Sequence, residues 1–451
     1  MNSTVFDSGL FRDMFATAAM RETFSDTNYV RCCLDAEAAL ARAQSGIAMI
    51  PQAAARNITA AAASMQPDMA RLKADCENVG YPIVGLVRQL ADACESESGG
   101  YVHWGATTQD IMDTAVVLQV RRGLELVEAD LMECIDLLGK LAREHRDVPM
   151  AGRTHLQHAL PITFGFKAAT WRDPLVRHLE RLRQMRPRVL VGQLGGAAGT
   201  LASLGADGLK VRAGMMRELG LGERDITWHV SRDGLAEAVM LLGMVTGSLA
   251  KAGTDIMIMM ANEFGEAFEP FQHGRGSSST MPQKRNPISS ELMVAGAKIV
   301  RQQCALMLDA MVQDFERATG PWHAEWAAIP ESFLATSGVL AQAKAVFGGM
   351  TVDAKRMRTN LDISKGLILA EAVMMGLAPA LGRNQAHHMV YEACLEAARG
   401  GALLDILAGN ASVAAHLTRD QIASLLEPSN YLGTATEMVD RSLANGPEKT
   451  P

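Results

Sequence analysis

Between Asp110 and Asp147 the chain carries one continuous helical stripe, in which Val120, Leu124, Val127, Leu131, Cys134, Leu138 and Leu141 recur at alternating steps of four and three. Side chains spaced in this way lie on one face of an α-helix. A helix over the whole stretch is roughly 55 Å long at 1.5 Å per residue, longer than most globular helices and suited to an extended bundle. Four further long patterns follow: Pro161 to Arg186 with a kink expected at Pro174, Asp233 to about Asn262, Ser289 to about Val312, and Pro330 to about Phe347. No stretch alternates in the manner of a strand between turn signals. The expected fold is all-α, with these five long helices forming a central bundle.

The flanks are built differently. Asn28 to Ser45 is an amphipathic helix that stops at Gly46 and Pro51, and a smaller helical region continues to about Gly100. Beyond Asp353, shorter helices are separated by Gly366, Gly382, Gly400, Gly401 and Pro428. The expected domains are therefore 1–100, 101–350 and 351–451. A hydrophobic share of 48% is enough for a large core and excludes a disordered chain. The net charge of −7 provides no basic field for nucleic acid or an anionic membrane, and aromatics at 5% are too few for base-stacking platforms. A small-molecule ligand remains.

The longest charge-free run, Val189 to Ala206, contains five glycines with Gln193, Thr200 and Ser203, and reads as a glycine-rich loop rather than a membrane span. Met1 to Phe15 lacks the apolar core of a signal peptide. Seven scattered cysteines, an odd number lying mostly inside helical patterns, read as reduced thiols of a cytoplasmic protein, and no Cys or His spacing suggests a metal site. The 27 methionines, at helical spacing, read as core or subunit-interface filler rather than a promiscuous binding surface. Apolar residues on several helix faces point to a homo-oligomer.

Three polar islands interrupt the helical pattern. The first, Tyr101 to Thr114, reads YVHWGATTQDIMDT and sets Thr107, Thr108 and Gln109 before Asp110 at the start of the long helix. Hydroxyls and unpaired backbone donors there could hold a carboxylate, or Thr108 or Asp110 could simply cap the helix. His103, beside Trp104, could be no more than packed and hydrogen-bonded. In the second island, GRTHLQHALP from Gly152 to Pro161, His155 could move protons near neutral pH while Thr154 and Gln157 orient it or a substrate; the alternative is a buried pair, His155 and His158. The third, FGEAFEPFQHGRGSSSTMPQKRNP from Phe264 to Pro287, places a Gly/Ser run before Met281 and then Lys284, Arg285 and Asn286 ahead of a helix, two cations and an amide able to bind carboxylates. A solvated linker would share that composition, and a phosphate loop is excluded because no strand or GxxxxGK[ST] context is present.

The third island resembles the signature of the fumarase/aspartase superfamily, Gly-Ser-x-x-Met-x-x-Lys-x-Asn. Ser278, Met281, Lys284 and Asn286 match it, while Ser277 stands at the first glycine and Gly276 lies one residue earlier. The other two islands resemble the remaining signature regions in the same order. The resemblance implies a three-domain helical fold, a homotetramer with a twenty-helix core, active sites each assembled from three subunits, and no metal or organic cofactor. It implies elimination beside a carboxylate, usually releasing fumarate, or the reverse addition, on a small polycarboxylate substrate. Residue by residue, Ser278 matches the general base, with Lys284 and the loop depressing its pKa. Lys284, Asn286, Thr107 and Thr108 would stabilise an enediolate-like intermediate, and His155 matches the general acid. Gln109, Thr154, Gln157, Ser279, Met281 and His323 complete the implied substrate contacts, and the loop would close before reaction.

Taken end to end, the chain is most similar to the 3-carboxy-cis,cis-muconate cycloisomerase branch, through YVHWGATTQDIMDT, ERATGPWHAEWAAIPE around His323 and Glu325, and LDISKGLILAEAV from Leu361. Bacterial members of that branch commonly carry a non-histidine residue at the position of His155. A cycloisomerase expels no amine in need of a proton, so His155 favours C–N elimination from an N-substituted succinate or aspartate, with lactonisation as the alternative. The presence of Ser278, Lys284, Asn286 and His155 argues against a non-catalytic structural relative. The adenylosuccinate lyase pattern is broken by Tyr81 and Pro82 in place of its His-Asp pair and by Trp326 in place of an arginine. A nucleotide substrate is discounted accordingly. Pro321, Trp322 and Trp326 suggest a compact pocket instead, or packing between helices.

Overall fold

Helix α1 (Asp26–Gly46) opens at Ser25, whose hydroxyl accepts a hydrogen bond from the Asn28 N–H and satisfies one of the donors that a helix start leaves free. The long stripe forms α2 (Thr108–Glu144), and all seven stripe residues are buried. Each such side chain contributes roughly 1.5–3 kcal/mol relative to exposure. The structure, a computed structural model, describes residues 4–270, 274–317 and 319–445. Phe271 to His273 of the third island and Ala318 of the ERATG segment lie outside the described residues.

After α2 the chain forms β1 (Pro149–Thr154) and β2 (Gln157–Thr163), an antiparallel hairpin where the sequence reading expected only helix or loop. Its register runs from Pro149 opposite Thr163 to Thr154 opposite Gln157, with an irregularity between Ala151 and Arg153. Gly152 sits at that bulge, where a Cβ would lie 2.6 Å from the Leu160 carbonyl oxygen. Helix α3 (Phe164–Val189) therefore begins three residues later than expected and runs through Pro174. Next come α4 (Asp233–Met260), the short strand β3 (Ala267–Phe268), α5 (Ile288–Ala310) and α6 (Pro321–Gly349). Helix α6 starts nine residues before the expected Pro330 because Pro321 occupies its first position, where a missing N–H costs nothing. Pro330 falls inside it and denies the Trp326 carbonyl its usual intrahelical donor. Strand β4 (Thr351–Val352) pairs with β3, and α7 (Ala354–Asp362), α8 (Ala370–Leu381) and α9 (Arg383–Arg399) lead the C-terminal part. Among the described residues the fold is all-α apart from these two small antiparallel pairs.

The chain forms two compact units. One comprises Met1–Asp130, His178–Gly247 and Ala295–Ala341; the other comprises Leu131–Arg177, Ser248–Val294 and Gln342–Pro451, so the division passes through each of the five long helices. In the first unit, Gly123 of α2 lets the Phe333 ring of α6 approach to where a Cβ would stand 2.7 Å away, and Phe333 packs on Phe24 with ring centroids 5.1 Å apart. In the second, Val373 and Leu377 of α8, Val390 of α9, and Leu403 and Leu407 form a buried cluster. None of the seven cysteines forms a disulfide, and burial pushes the Cys32 thiol up to about 12. By length and composition α4 could cross a membrane, and 56% of its most apolar window is buried within the chain.

Candidate active site

The first island is built around one carboxylate. Asp110, in the first turn of α2 and fully buried, accepts through Oδ1 from the Gly195 N–H at 2.8 Å, with His229 Nε2 2.7 Å away, and through Oδ2 from the N–H groups of Gly196 and Thr107, both at 2.9 Å. The Thr107 bond is the capping arrangement that the sequence allowed, and the two glycine bonds tie the 189–206 loop to the helix start. Gly195 is required there, because a Cβ would stand 2.6 Å from Thr227 Oγ1 and 2.8 Å from the His229 ring. Capping thus occupies Asp110 and leaves the threonine hydroxyls to other partners. Arg317 donates to Thr107 Oγ1 at 2.8 Å and to the Ala197 carbonyl at 2.5 Å, while the Thr108 hydroxyl makes no hydrogen bond among the described residues. Gln109 points inward instead, donating to the His229 carbonyl at 2.9 Å and to Asp113 Oδ2 at 3.1 Å. His103 is half-buried against Glu37, with Nδ1 2.5 Å from Oε1; burial opposes its charge, but the Glu37 carboxylate prevails and raises its pKa.

One turn further along α2, Asp113 shares a buried guanidinium. Arg232 donates to Asp113 at 2.8 and 2.9 Å and to Glu325 of α6 at 2.8 and 2.5 Å. Burial disfavours the Arg232 charge, yet Asp113 and Glu325 more than offset this and hold its pKa above the ordinary arginine value. Burial likewise pushes the Glu325 carboxyl up, against the pull of Arg232. The Trp322 indole donates to Asp113 at 3.2 Å, and Trp322 packs with Tyr81, His323 and Trp326 in an aromatic cluster whose tightest pair, His323 and Trp326, has centroids 4.5 Å apart. The first unit therefore gathers Thr107, Thr108 and the opening turn of α6, with Gln109 bracing them from below.

The second unit carries the other expected site residues on two exposed turns. Thr154, His155, Leu156 and Gln157 form the tip of the β1–β2 hairpin, and His155 and Leu156 both take left-handed backbone, with φ of 51° and 62°. Two-residue hairpin turns of this type favour Asn and Gly, and each residue held there without them costs about 1–2 kcal/mol. The hairpin is braced by Arg153, which donates to the buried Glu266 at 2.9 and 2.6 Å, while Asn360 of α7 donates to the same carboxylate at 2.8 Å. The alternative of a buried histidine pair fails: His155 is exposed, and only His158 is half-buried, its pKa lowered first by burial and then by Arg153.

In the third island Ser278 is half-buried, and its Oγ accepts from the backbone N–H groups of Met281 at 3.1 Å and Thr280 at 3.3 Å. Ser279, Met281 and Lys284 are exposed, and Asn286 is half-buried. The Lys284 ammonium makes no hydrogen bond to Ser278 among the described residues. The glycine requirement falls on Gly276, not on position 277: Gly276 has φ of 70°, its carbonyl accepts from the Asn286 N–H at 2.9 Å, and a Cβ there would lie 2.5 Å from the Asn286 oxygen. Ser277 pairs in a bridge with Arg285. The buried Glu269 caps the helix that follows, accepting from the N–H groups of Ser289 and Ser290 at 3.2 and 2.7 Å. Within this unit no hydrogen bond or ring contact joins the hairpin tip to the serine loop among the described residues. Nor, among those residues, does any group of three or more His, Cys, Asp or Glu stand in an arrangement suited to a metal ion.

Residues 13–301 match the family described as lyase, and residues 366–442 match the family described as adenylosuccinate lyase C-terminus. The chain belongs to the fumarase/aspartase superfamily. Among relatives in that superfamily, it is 46% identical to trans-aconitate decarboxylase 1 of Mycosarcoma maydis, over 97% of this chain and 89% of that protein. It is 45% identical to 3-carboxy-cis,cis-muconate cycloisomerase of Pseudomonas aeruginosa, over 96% of both. It is 37% identical to N-acetyl-S-(2-succino)cysteine lyase of Dickeya dadantii, over 98% and 97%. The crystal structure of a fumarate lyase from Mesorhizobium sp. BNC1 superposes with a TM-score of 0.91 at 52% identity, covering 96% of this chain and 98% of that one. Superfamily signatures pointed to Thr107, His155 and Ser278. Asp110 was read only as a possible cap, and Arg317 and the Arg153–Glu266 pair, which also hold these residues, were given no role. All four lie within the three polar islands or the ERATG segment, but a buried hub leaves no periodic mark in a sequence.

Proposed function

We propose that the protein is a cofactor-independent lyase that breaks or makes the C–N bond of an N-substituted succinate, releasing or consuming fumarate. The observation that carries this reading is the hairpin tip, where an exposed imidazole is held by strained left-handed backbone on a braced support. Strain of this kind clusters at active sites, and the residue it presents here is a histidine, able to give a proton to a departing nitrogen. In the forward reaction Ser278, as alkoxide, takes the proton from the carbon beside one carboxylate, and the electron pair delocalises into that carboxylate. The pair then forms the new double bond as the C–N bond breaks toward nitrogen, which receives a proton from His155. The N–H groups of Thr280 and Met281 favour the charged form of Ser278, and Lys284 and Asn286 would donate to the enediolate-like intermediate. Thr107, Thr108 and the N–H groups opening α2 suit the substrate carboxylates, and Thr154, Gln157, Ser279, Met281 and His323 surround them, while the buried Gln109 acts behind that surface rather than on the substrate.

The same reading takes the active enzyme to be a cytoplasmic homotetramer with composite sites and a three-domain division near residues 100 and 350. The partly exposed apolar face of α4 supports self-association, and seven cysteines outside any disulfide suit a reducing compartment. Light scattering in solution tests the tetramer. Lactonisation of carboxymuconate is the second reading, favoured by 45% identity to an enzyme of that name.

Purified protein incubated with fumarate and a panel of amines, and separately with 3-carboxy-cis,cis-muconate, separates the two by ultraviolet absorbance. Amine-dependent loss of fumarate is expected. His155→Ala and Ser278→Ala should each lower that rate by roughly 10²–10⁴-fold without loss of folding. Carboxymuconate turnover with no fumarate chemistry would replace the leading reading by the second.

A further inference from the structure

A cavity of about 630 Å³ in the first unit has no part in the chemistry above. Met112, Asp113, Val116 and Gln119 of α2 line it, so it begins about 6 Å along the helix from Thr108 at 1.5 Å per residue. Trp322, Glu325 and Trp326, from the opening turns of α6, form another wall. The cavity thus adjoins the threonines expected to hold carboxylate, yet its own electrostatics are the opposite of a carboxylate site. Four carboxylates line it, those of Asp26, Glu77, Asp113 and Glu325, against the cations Lys73 and Arg232. Lys73 is paired with Glu77 at 2.7 Å, and Arg232 is shared by two buried carboxylates, which leaves the inner wall with an excess negative charge. Excess charge in a low-dielectric wall favours a counter-cation and disfavours an anion. The indole rings add faces on which an ammonium gains further attraction. Apart from Tyr29, Cys76 and Gln119 the remaining lining is apolar, and the volume is within the range of small-molecule sites.

We propose that this cavity receives the nitrogen half of the substrate: an ammonium group carried on an apolar or aromatic body. The assignment rests on the reading of the reaction as C–N bond chemistry, and it predicts that the preferred amines are hydrophobic rather than acidic or sugar-like. Binding can be read without turnover. Benzylammonium serves as the probe, with benzoate as its anionic counterpart, both titrated calorimetrically into the full-length protein without fumarate. The expected result is saturable binding of benzylammonium, at least tenfold tighter than benzoate. Val116→Phe, which fills the cavity from α2, should weaken it at least tenfold, as should Trp326→Ala, which removes an aromatic face at the rim and guards against a folding defect in the first variant. Equal binding of benzoate, or benzylammonium binding unchanged in both variants, would overturn the assignment. Fumarate consumption with small amines, alongside absent benzylammonium binding, would reject the cavity and leave the reaction standing. Variant-sensitive binding without fumarate chemistry would uphold the cavity and reject the reaction.

Discussion

The start of α2 and the β1–β2 hairpin both present superfamily signature residues, but they are constructed on contrary plans. Around Asp110 the polar groups are buried and nearly all paired, and the hydroxyls of Thr107 and Thr108 stand at the start of the long helix. At the hairpin tip four neighbouring residues are exposed, and two of them hold backbone conformations that glycine would adopt at no cost. The first region invests its interactions in fixing the start of a helix. The second keeps an imidazole outside the protein interior, available to a partner surface or substrate, and concentrates its rigidity one residue back, at Arg153.

The contrast can be broken most severely at the buried guanidinium. Arg232→Met strands Asp113 and Glu325 without their cation and should cost about 3–5 kcal/mol, read as a fall in the denaturation midpoint. A loss below 1 kcal/mol would mean that the carboxylates are solvated and the region is not rigid. Next in size is Gly276→Ala. Its Cβ has no room against the Asn286 backbone, so the serine loop must shift, and activity should fall tenfold or more, about 1.4 kcal/mol of barrier. Ser277→Gly is expected to stay within twofold, and a larger effect at 277 would return the glycine requirement to the signature position.

Leu156→Gly tests the hairpin in the opposite direction. Relief of left-handed strain, about 1–2 kcal/mol, is reduced by the entropy of glycine, about 0.5–1 kcal/mol, so stability should be unchanged or rise by up to about 1.5 kcal/mol. A clear loss would show that the Leu156 side chain, not its backbone, supports the tip. The smallest effect concerns pH. Burial raises the Glu325 pKa, so the folded state holds that proton more tightly than the unfolded state, and the contribution is present at low pH and lost as pH rises from the ordinary value of 4.5 through the raised one. Glu325→Gln should therefore flatten the decline in stability above pH 4.5. An unchanged slope would assign the decline to other groups.

Much of this was legible beforehand, and the exceptions have physical causes. Residues 120–141 announce their helix because a single buried face repeats its apolar residues seven times. The hairpin left no such trace: the bulge at Gly152 shifts the alternation, Pro161 sits within β2, and His155–Leu156 is not a turn sequence that favours its own geometry. The start of α6 was misplaced because two prolines compete for it, and only the first stands where a helix can begin. Ser278, Lys284 and Asn286 were legible through their resemblance to the superfamily signature. That loop N–H groups would serve Ser278 was expected; that they would be those of Thr280 and Met281 was not legible, since such a turn depends on the conformation of Gly276 and on the bridge between Ser277 and Arg285.

The division of the chain bears on how it is made. Each compact unit is assembled from three segments, and the first is complete only when residues up to Ala341 are available. During synthesis, the apolar faces of α2, α3 and α4 must therefore emerge before their partners on α6 exist. A nascent chain of this kind depends on chaperones or on delayed collapse, and any fragment ending within the first three hundred residues exposes surface that promotes aggregation. Expression of isolated halves, split at any loop between the long helices, should accordingly yield insoluble protein, whereas co-expressed halves recover the fold.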